Sequence, residues 1–211
     1  MIDPRDAALL AACPVVAMPR YGVLPPLEVG LRLVVAANGL FVQVCLPWLD
    51  CVAQCGGIDA TLPLPYGQLT PRIALSFGVV PAALLRQFVL IARRALPAET
   101  AAAIIHCAHA GTLRLAPCET VDADSKHVVY RPPLLAATEQ VVLDLHSHGD
   151  APAFFSEQDD LDDRTIKLCG VFGRVRSRHP EARFRLAING MFIDLCDRWD
   201  DFIGMARMEG E

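Results

Sequence analysis

Two kinds of hydrophobic spacing divide the chain. Up to about residue 70, apolar residues come in short β-branched runs broken by proline and glycine. Leu31-Arg32-Leu33-Val34-Val35 and Leu40-Phe41-Val42-Gln43-Val44 flank Asn38-Gly39, and an Asn-Gly pair supplies the positive φ of a type I′ hairpin turn. Pro63, Pro65 and Pro71 follow; lacking an N–H, they disfavour a central strand. The pattern predicts a β-rich attachment over residues 1–70. Beyond it, Ile73–Phe77 reads as a short strand, and Pro81 opens a helix running to about Ala95. Leu84, Leu85, Phe88, Val89, Ile91 and Ala92 give that helix an apolar face, opposite Arg86, Arg93 and Arg94. Pro97 ends it.

Further strands are expected at Thr100–His106, Thr112–Ala116, Val128–Tyr130, Val141–Leu145, Lys167–Val175, Arg183–Ile188 and Met191–Leu195. Asp122, Asp124, Ser125 and Lys126 read as a polar loop, and Asn189-Gly190 as a second hairpin turn. Ser156 is placed to cap a second helix over Glu157–Ile166, whose first turn is acidic, where the helix dipole favours negative charge. Strands before and after two helices predict an α/β fold, an α+β sandwich, over residues 71–198. A tail, 199–211, completes the chain.

Composition narrows the function classes. The chain has 211 residues, 53% of them hydrophobic, and a mean hydropathy of +0.35, enough for a substantial core. Its formal net charge of −5 argues against nucleic acid as a partner, because phosphate binding needs a positive footprint. No stretch reaches the ~18 uncharged apolar residues of a membrane span; Gly30–Trp48 is interrupted by Arg32, Asn38 and Gln43. Leu10-Ala11-Ala12-Cys13 resembles a lipoprotein cleavage box, but the residues before it carry Asp3 and Asp6 and too short an apolar run. The eight cysteines do not suit a disulfide scaffold in so long and apolar a chain. Cys51 and Cys55 lack a second pair at zinc-finger spacing. Reduced, mostly buried thiols in a cytoplasmic protein are expected.

The chemistry concentrates in one stretch. His146-Ser147-His148 ends a strand, so its two imidazoles share a face and Ser147 points away. Seven residues later come Ser156 and, one turn on, Asp159. A loop containing Gly149 and Pro152 can fold the helix back on the strand end. Two histidines and a carboxylate with a fourth position left open is the pattern of a catalytic zinc; structural zinc is usually closed by four ligands. Taken singly, each part has a plainer reading: two surface histidines, and a solvated helix face formed by Asp159, Asp160, Asp162 and Asp163.

Taken together, His146-Ser147-His148, seven residues, Ser156, two residues and Asp159 resemble the metal signature of the JAMM (JAB1/MPN) metalloprotease family. The resemblance covers about residues 72–196 and implies an MPN/JAB1-like, cytidine-deaminase-like fold. It implies one Zn²⁺ per chain on His146, His148 and Asp159, with Ser156 steadying the oxyanion of the tetrahedral intermediate. The family also places a glutamate after its first long helix, and Leu96-Pro97-Ala98-Glu99-Thr100 is similar to that segment. Glu99 would then be the general base, with Glu119 and Glu139 as rivals. Many members carry proline directly after the second histidine, where this chain has Gly149, which implies a more mobile loop. The implied activity is cleavage of a peptide or isopeptide bond after the C-terminal tail of a ubiquitin-like protein. Bacterial relatives also process small sulfur-carrier proteins. A narrower resemblance, to proteins of PRTRC genetic systems, implies E1-like and E2-like proteins as further partners. The alternatives are a catalytically silent MPN-type scaffold and a DNA-repair-linked member; intact ligands oppose the first, and net acidity opposes the second.

Other residues read more plainly. Arg174, Arg176, Arg178, Arg183 and Arg185 would steer an acidic partner or, more simply, guard a solvated loop and an edge strand. His106 and His109 around Cys107 suggest packing rather than nucleophilic catalysis. Trp48 and Trp199 suit either an interface or a core.

Overall fold

The computed structural model describes residues 2–59 and 64–195, and the backbone of 203–204. Two compact units form, Met1–Gly78 and Val79–Glu211. The first contains helix α1 (Pro4–Ala12) and strands β1 (Val15–Ala17), β2 (Gly30–Ala36), β3 (Gly39–Leu46), β4 (Leu49–Gly56) and β5 (Arg72–Leu75). The strands lie in sequence order in one sheet. The Asn38-Gly39 hairpin joins β2 to β3 as the sequence predicts. Val34, Ala36, Phe41 and Val52 form a buried cluster, and Trp48, 2% exposed, stacks near Phe77. Trp48 is therefore a core residue; Trp199 lies outside the described residues. Arg72–Leu75, read in sequence as opening the second domain, instead pairs with β4 and completes this sheet. Arg72 also makes a bidentate ion pair with Asp50.

The second unit runs β6 (Val80–Pro81), α2 (Ala82–Ala95), β7 (Ala101–Cys107), β8 (Thr112–Pro117), β9 (Glu119–Ala123), β10 (Val128–Arg131), β11 (Glu139–Ser147), α3 (Glu157–Asp162), β12 (Ile166–Gly173), β13 (Glu181–Ile188), β14 (Met191–Asp194) and β15 (Ile203–Gly204). Its six-stranded sheet has the order β14-β13-β12-β11-β7-β8. β11 and β12 are parallel, joined across α3, and the other pairs are antiparallel. β7 and β12 are buried on both faces, with the successive Ile104 and Ile105 on β7 both fully buried, whereas β11 buries Leu143 and Leu145 on one face only. That explains why the sequence shows β7 and β12 as apolar runs rather than alternations. α2 buries Leu85, Phe88, Val89 and Ala92, the i, i+3, i+4, i+7 stripe that the pattern predicts. Phe88 meets Phe172 edge-on at 5.4 Å, and Phe172 meets Phe184 at 5.7 Å. Losing the Phe88 ring would cost on the order of 3–5 kcal/mol.

Several sequence expectations are corrected. Asp122 lies not in a loop but on β9, which pairs with β10 as a hairpin of mostly exposed side chains. Its polarity reflects exposure, not irregular backbone. α3 stops at Asp162 rather than Ile166, because Asp163 turns inward to ion partners and Ile166 already pairs with Ile188. β13 is not an edge strand; it lies between β12 and β14. Of the seven described cysteines, none is in a disulfide; Cys51 and Cys169 are buried, four are half-buried and Cys55 is exposed. Cys196 lies outside the described residues. No described helix is long and apolar enough to cross a membrane.

Candidate metal centre

β11 delivers the two histidines. Along it, Leu143, Leu145 and Ser147 turn into the core while Asp144 and His146 turn to the cleft, with His148 next in the alternation. Pairing continues one residue past the strand, where the His148 N–H donates to Phe172 O at 2.8 Å. The chain then leaves the sheet at Gly149 with φ +55. This is the carboxyl end of a parallel strand pair, the place where α/β sheets assemble their sites.

The connection to α3 is held firmly. Ala151 N–H donates to His148 O, Val175 N–H to Gly149 O, and Arg174 N–H to Ala151 O. Arg183 Nε donates to Ala153 O at 3.1 Å, and Ala153 N–H to Glu181 Oε2 at 3.2 Å. The backbone of 151–153 lies flat on Gly173, where any Cβ would collide with it. Where the sequence suggested a more mobile loop at Gly149, the structure shows one tied by hydrogen bonds from both its flanks. Proline fixes φ near −65°, whereas this turn runs through the left-handed region, so glycine is what the tied-down conformation requires. Three of the arginines that read as a basic patch serve the same region: Arg174 pairs with Glu181, Arg176 with Asp150, and Arg183 holds Ala153.

Ser156 caps α3 with a full capping box. Its Oγ accepts from Asp159 N–H at 3.2 Å, and its own N–H donates to Asp159 Oδ2 at 2.6 Å. The Ser156 hydroxyl donates to the same Oδ2 at 2.7 Å. Oδ2 is thus fully engaged, and Oδ1 is turned to the histidines, 3.4 Å from His146 Nε2. His146 Nε2 and His148 Nε2 are 3.2 Å apart. All three candidate ligand atoms lie within 4.8 Å of one another. Zinc bonds of roughly 2.0–2.1 Å at tetrahedral angles separate ligand atoms by about 3.3 Å, so the shorter edges of this triangle have the size a zinc ion needs. The residues fit the metal.

Protonation favours the same use. His148 Nδ1 stands 3.3 Å from Pro152 O; since that carbonyl can only accept, the ring proton belongs on Nδ1 and the Nε2 lone pair faces the cleft. Burial, then the neighbouring His146, holds the His148 imidazole below its ordinary pKa, which favours the neutral, ligating form.

Glu99 reaches the same cleft from the other side of β11. It lies just before β7, which pairs antiparallel with β11 so that Ala101 faces His146. Ser147, wholly buried, ties the two together: its N–H donates to Thr100 O at 3.0 Å and its Oγ accepts from Thr100 N–H at 3.2 Å. The Glu99 N–H donates to Asp124 O at 2.7 Å, fastening it also to the turn between β9 and β10. The side chain is 6% exposed. Burial, then the nearby Asp159 and Asp124 carboxylates, pushes its pKa up to about 7. The rivals stand elsewhere: Glu139 is engaged by Arg114, and Glu119 pairs with Arg131 on an exposed strand. His106 is buried on β7.

One cleft of about 270 Å³ gathers Glu99, His146, His148, Ser156 and Asp159. The β9–β10 turn (Ser125, Lys126, His127) and α3 (Gln158, Asp162) also line it. A buried ion network continues from its floor, and the sequence reading missed it. Lys167 Nζ donates to Asp144 Oδ2 at 2.7 Å and pairs with Asp163 Oδ1 at 3.0 Å, while Tyr130 OH donates to Asp144 at 2.9 Å. The polar alternation Asp144-His146-His148 was the available signal, since a third polar residue on that face requires a buried partner.

Two stretches of the chain match known families. Residues 3–76 match a family described as a domain of unknown function, DUF2016. Residues 81–187 match the prokaryotic homologs of the JAB domain. No curated protein matches the chain. The solution structure of protein DSY2949 from Desulfitobacterium hafniense is similar at 14% identity and a TM-score of 0.41, over 53% of this chain and 85% of that one. Because the match to the JAB homologs spans just over half of the chain, the chain belongs to the prokaryotic homologs of the JAB domain.

Proposed function

We propose that the chain is a zinc-dependent peptidase or isopeptidase, cleaving after the C-terminal tail of a ubiquitin-like protein. The observation that carries the hydrolase reading is the triangle of His146 Nε2, His148 Nε2 and Asp159 Oδ1, sized for zinc, in one cleft with a buried carboxyl whose pKa is about 7. Zinc held there would lower the pKa of a bound water towards about 7 and polarise the scissile carbonyl. Glu99 suits the base: near neutral pH its carboxylate can take up a proton and later return it to the leaving amine. Ser156 would steady the oxyanion by turning its hydroxyl proton away from Asp159 Oδ2, which its own N–H continues to hold. The cleft runs between the β9–β10 turn and α3, and an extended tail suits such a cleft better than a folded surface does. The ubiquitin-like substrate, with E1-like and E2-like partners of the same system, follows from the resemblance in the motif. A sulfur-carrier protein is the alternative tail.

The test separates metal from chemistry. Purified protein should hold about one zinc per chain, and His146→Ala or Asp159→Ala much less. Glu99→Gln should keep the zinc while cleavage of a ubiquitin-like fusion falls by about 10²–10⁴-fold. Wild-type protein that is replete with zinc yet cuts neither a ubiquitin-like nor a sulfur-carrier fusion would favour the silent scaffold instead.

A further inference from the structure

α3 is difficult to account for by the forces that hold the rest of the unit. It has six residues and none is buried, so hydrophobic burial does not fix it. A helix of that length has no stability of its own. Its sequence, Glu157-Gln158-Asp159-Asp160-Leu161-Asp162, carries four acids, with Asp163 as its C-cap. Yet it carries one of the three candidate ligands, while the other two stand at the end of a central strand.

The far end of α3 meets Arg185, which reaches both Asp160 and Asp163. Arg185 projects from β13, and its side chain is 7% exposed. The guanidinium lies 3.9 Å from the ring centroids of both Phe155 and Phe192. Two aromatic faces leave a guanidinium little freedom and stabilise its charge. From that seat Nη1 donates to Asp160 Oδ1, and Nη2 to Asp163 Oδ2 at 2.7 Å. Asp160 directly follows the ligand Asp159, and the Asp163 N–H donates to Asp159 O at 2.9 Å. Asp163 also joins Lys167, which joins Asp144 on β11, two residues before His146. One continuous chain of ion pairs thus links the helix bearing Asp159 to the strand bearing the histidines.

We propose that Arg185 is the positioning residue for the third ligand: seated between Phe155 and Phe192, it fixes α3 through Asp160 and Asp163 and so sets where Asp159 Oδ1 stands relative to the two imidazoles. This rests on the metal reading above. Residues that orient ligands without touching the ion typically carry 10–100-fold in affinity. Lysine is not equivalent here, because it lacks the fork that reaches two carboxylates at once and the planar face that stacks.

Cobalt(II) provides the test, since its visible absorption reports ligand geometry and chelator competition gives affinity without any substrate. Wild-type protein should bind one equivalent. Arg185→Lys and Arg185→Met should fold, bind cobalt and zinc about 10–100-fold more weakly, and show an altered cobalt spectrum. Asp160→Ala removes one arm of the fork at a half-exposed side chain, where the fold is not at stake. It should weaken binding in the same direction, by less, and it decides the matter if the Arg185 variants fail to fold. Variants that melt earlier but keep the wild-type affinity and spectrum would make Arg185 merely structural and overturn the inference. Wild-type protein that takes up no cobalt or zinc would overturn the metal reading itself, and this inference with it.

Discussion

Single residues carry most of what makes this cleft suited to chemistry, and Gly149 shows how narrowly. Its φ of +55 is the left-handed value that lets the chain turn off β11 while His148 still pairs with Phe172. Alanine there meets only ordinary contacts with Leu96 and Pro97, so its cost is conformational, about 1–2 kcal/mol. Proline cannot adopt the angle at all. Gly149→Ala should therefore lower the melting temperature modestly and keep metal. Gly149→Pro should destabilise the protein further and lose metal affinity, despite being the residue that many members of the resembled family carry; a proline variant with wild-type melting and zinc content would refute this account of the turn. His146 and His148 were legible in the sequence because a strand's period of 2 puts them on one face, and Ser156 and Asp159 because a helix's period of 3.6 does the same; Glu99 was legible only through the family resemblance of its segment. Arg185 was not. A lone arginine in a run of five reads as solvated, and only the return of α3 onto β13 makes it a buried cation.

At the level of elements, an antiparallel ladder joins β7 to β11, and beyond its last pair Ser147 ties Thr100 with one backbone and one side-chain hydrogen bond. Ser147→Ala leaves the Thr100 N–H buried without its acceptor, costing about 1–3 kcal/mol. The expected outcome is a zinc-replete protein with reduced kcat, because Glu99 lies next to the loosened residue while His146 and His148 stay in the sheet. Unchanged kcat in a folded, zinc-loaded variant would detach Glu99 from this tie. Element boundaries show where sequence patterns stopped being informative. α2 was read almost to the residue because its apolar stripe is regular and proline bounds it. β5 was assigned to the wrong sheet, because its partner β4 is a matter of pairing that no local pattern encodes. α3 was drawn too long, because acidic residues that end the helix look in sequence like residues that continue it.

At the level of the whole molecule, one buried carboxyl should be visible in global stability. Folding raises the Glu99 pKa from 4.5 to about 7. The folded state then holds the proton more tightly than the unfolded chain, so the favourable contribution is complete below about pH 4.5 and is lost as pH rises through about 7. For the metal-stripped protein the loss is at most about 3 kcal/mol. Melting measured from pH 5 to pH 8 should show Glu99→Gln gaining on wild type as pH rises. Parallel curves would mean that Glu99 titrates as an ordinary carboxyl. The comparison isolates Glu99, since His148, whose pKa is shifted down, destabilises both proteins alike at the acid end. The attachment of Glu99 has a longer consequence. Its backbone is pinned to Asp124, and its neighbour Thr100 to Ser147; no candidate ligand takes part in either bond. On the metal reading, a single codon change at position 99 would leave a folded, metal-filled protein with no hydrolytic step. Descendants of such a chain could pass from cutting a tail to merely holding one without crossing an unfolded intermediate, so zinc content alone does not identify which of them still cut.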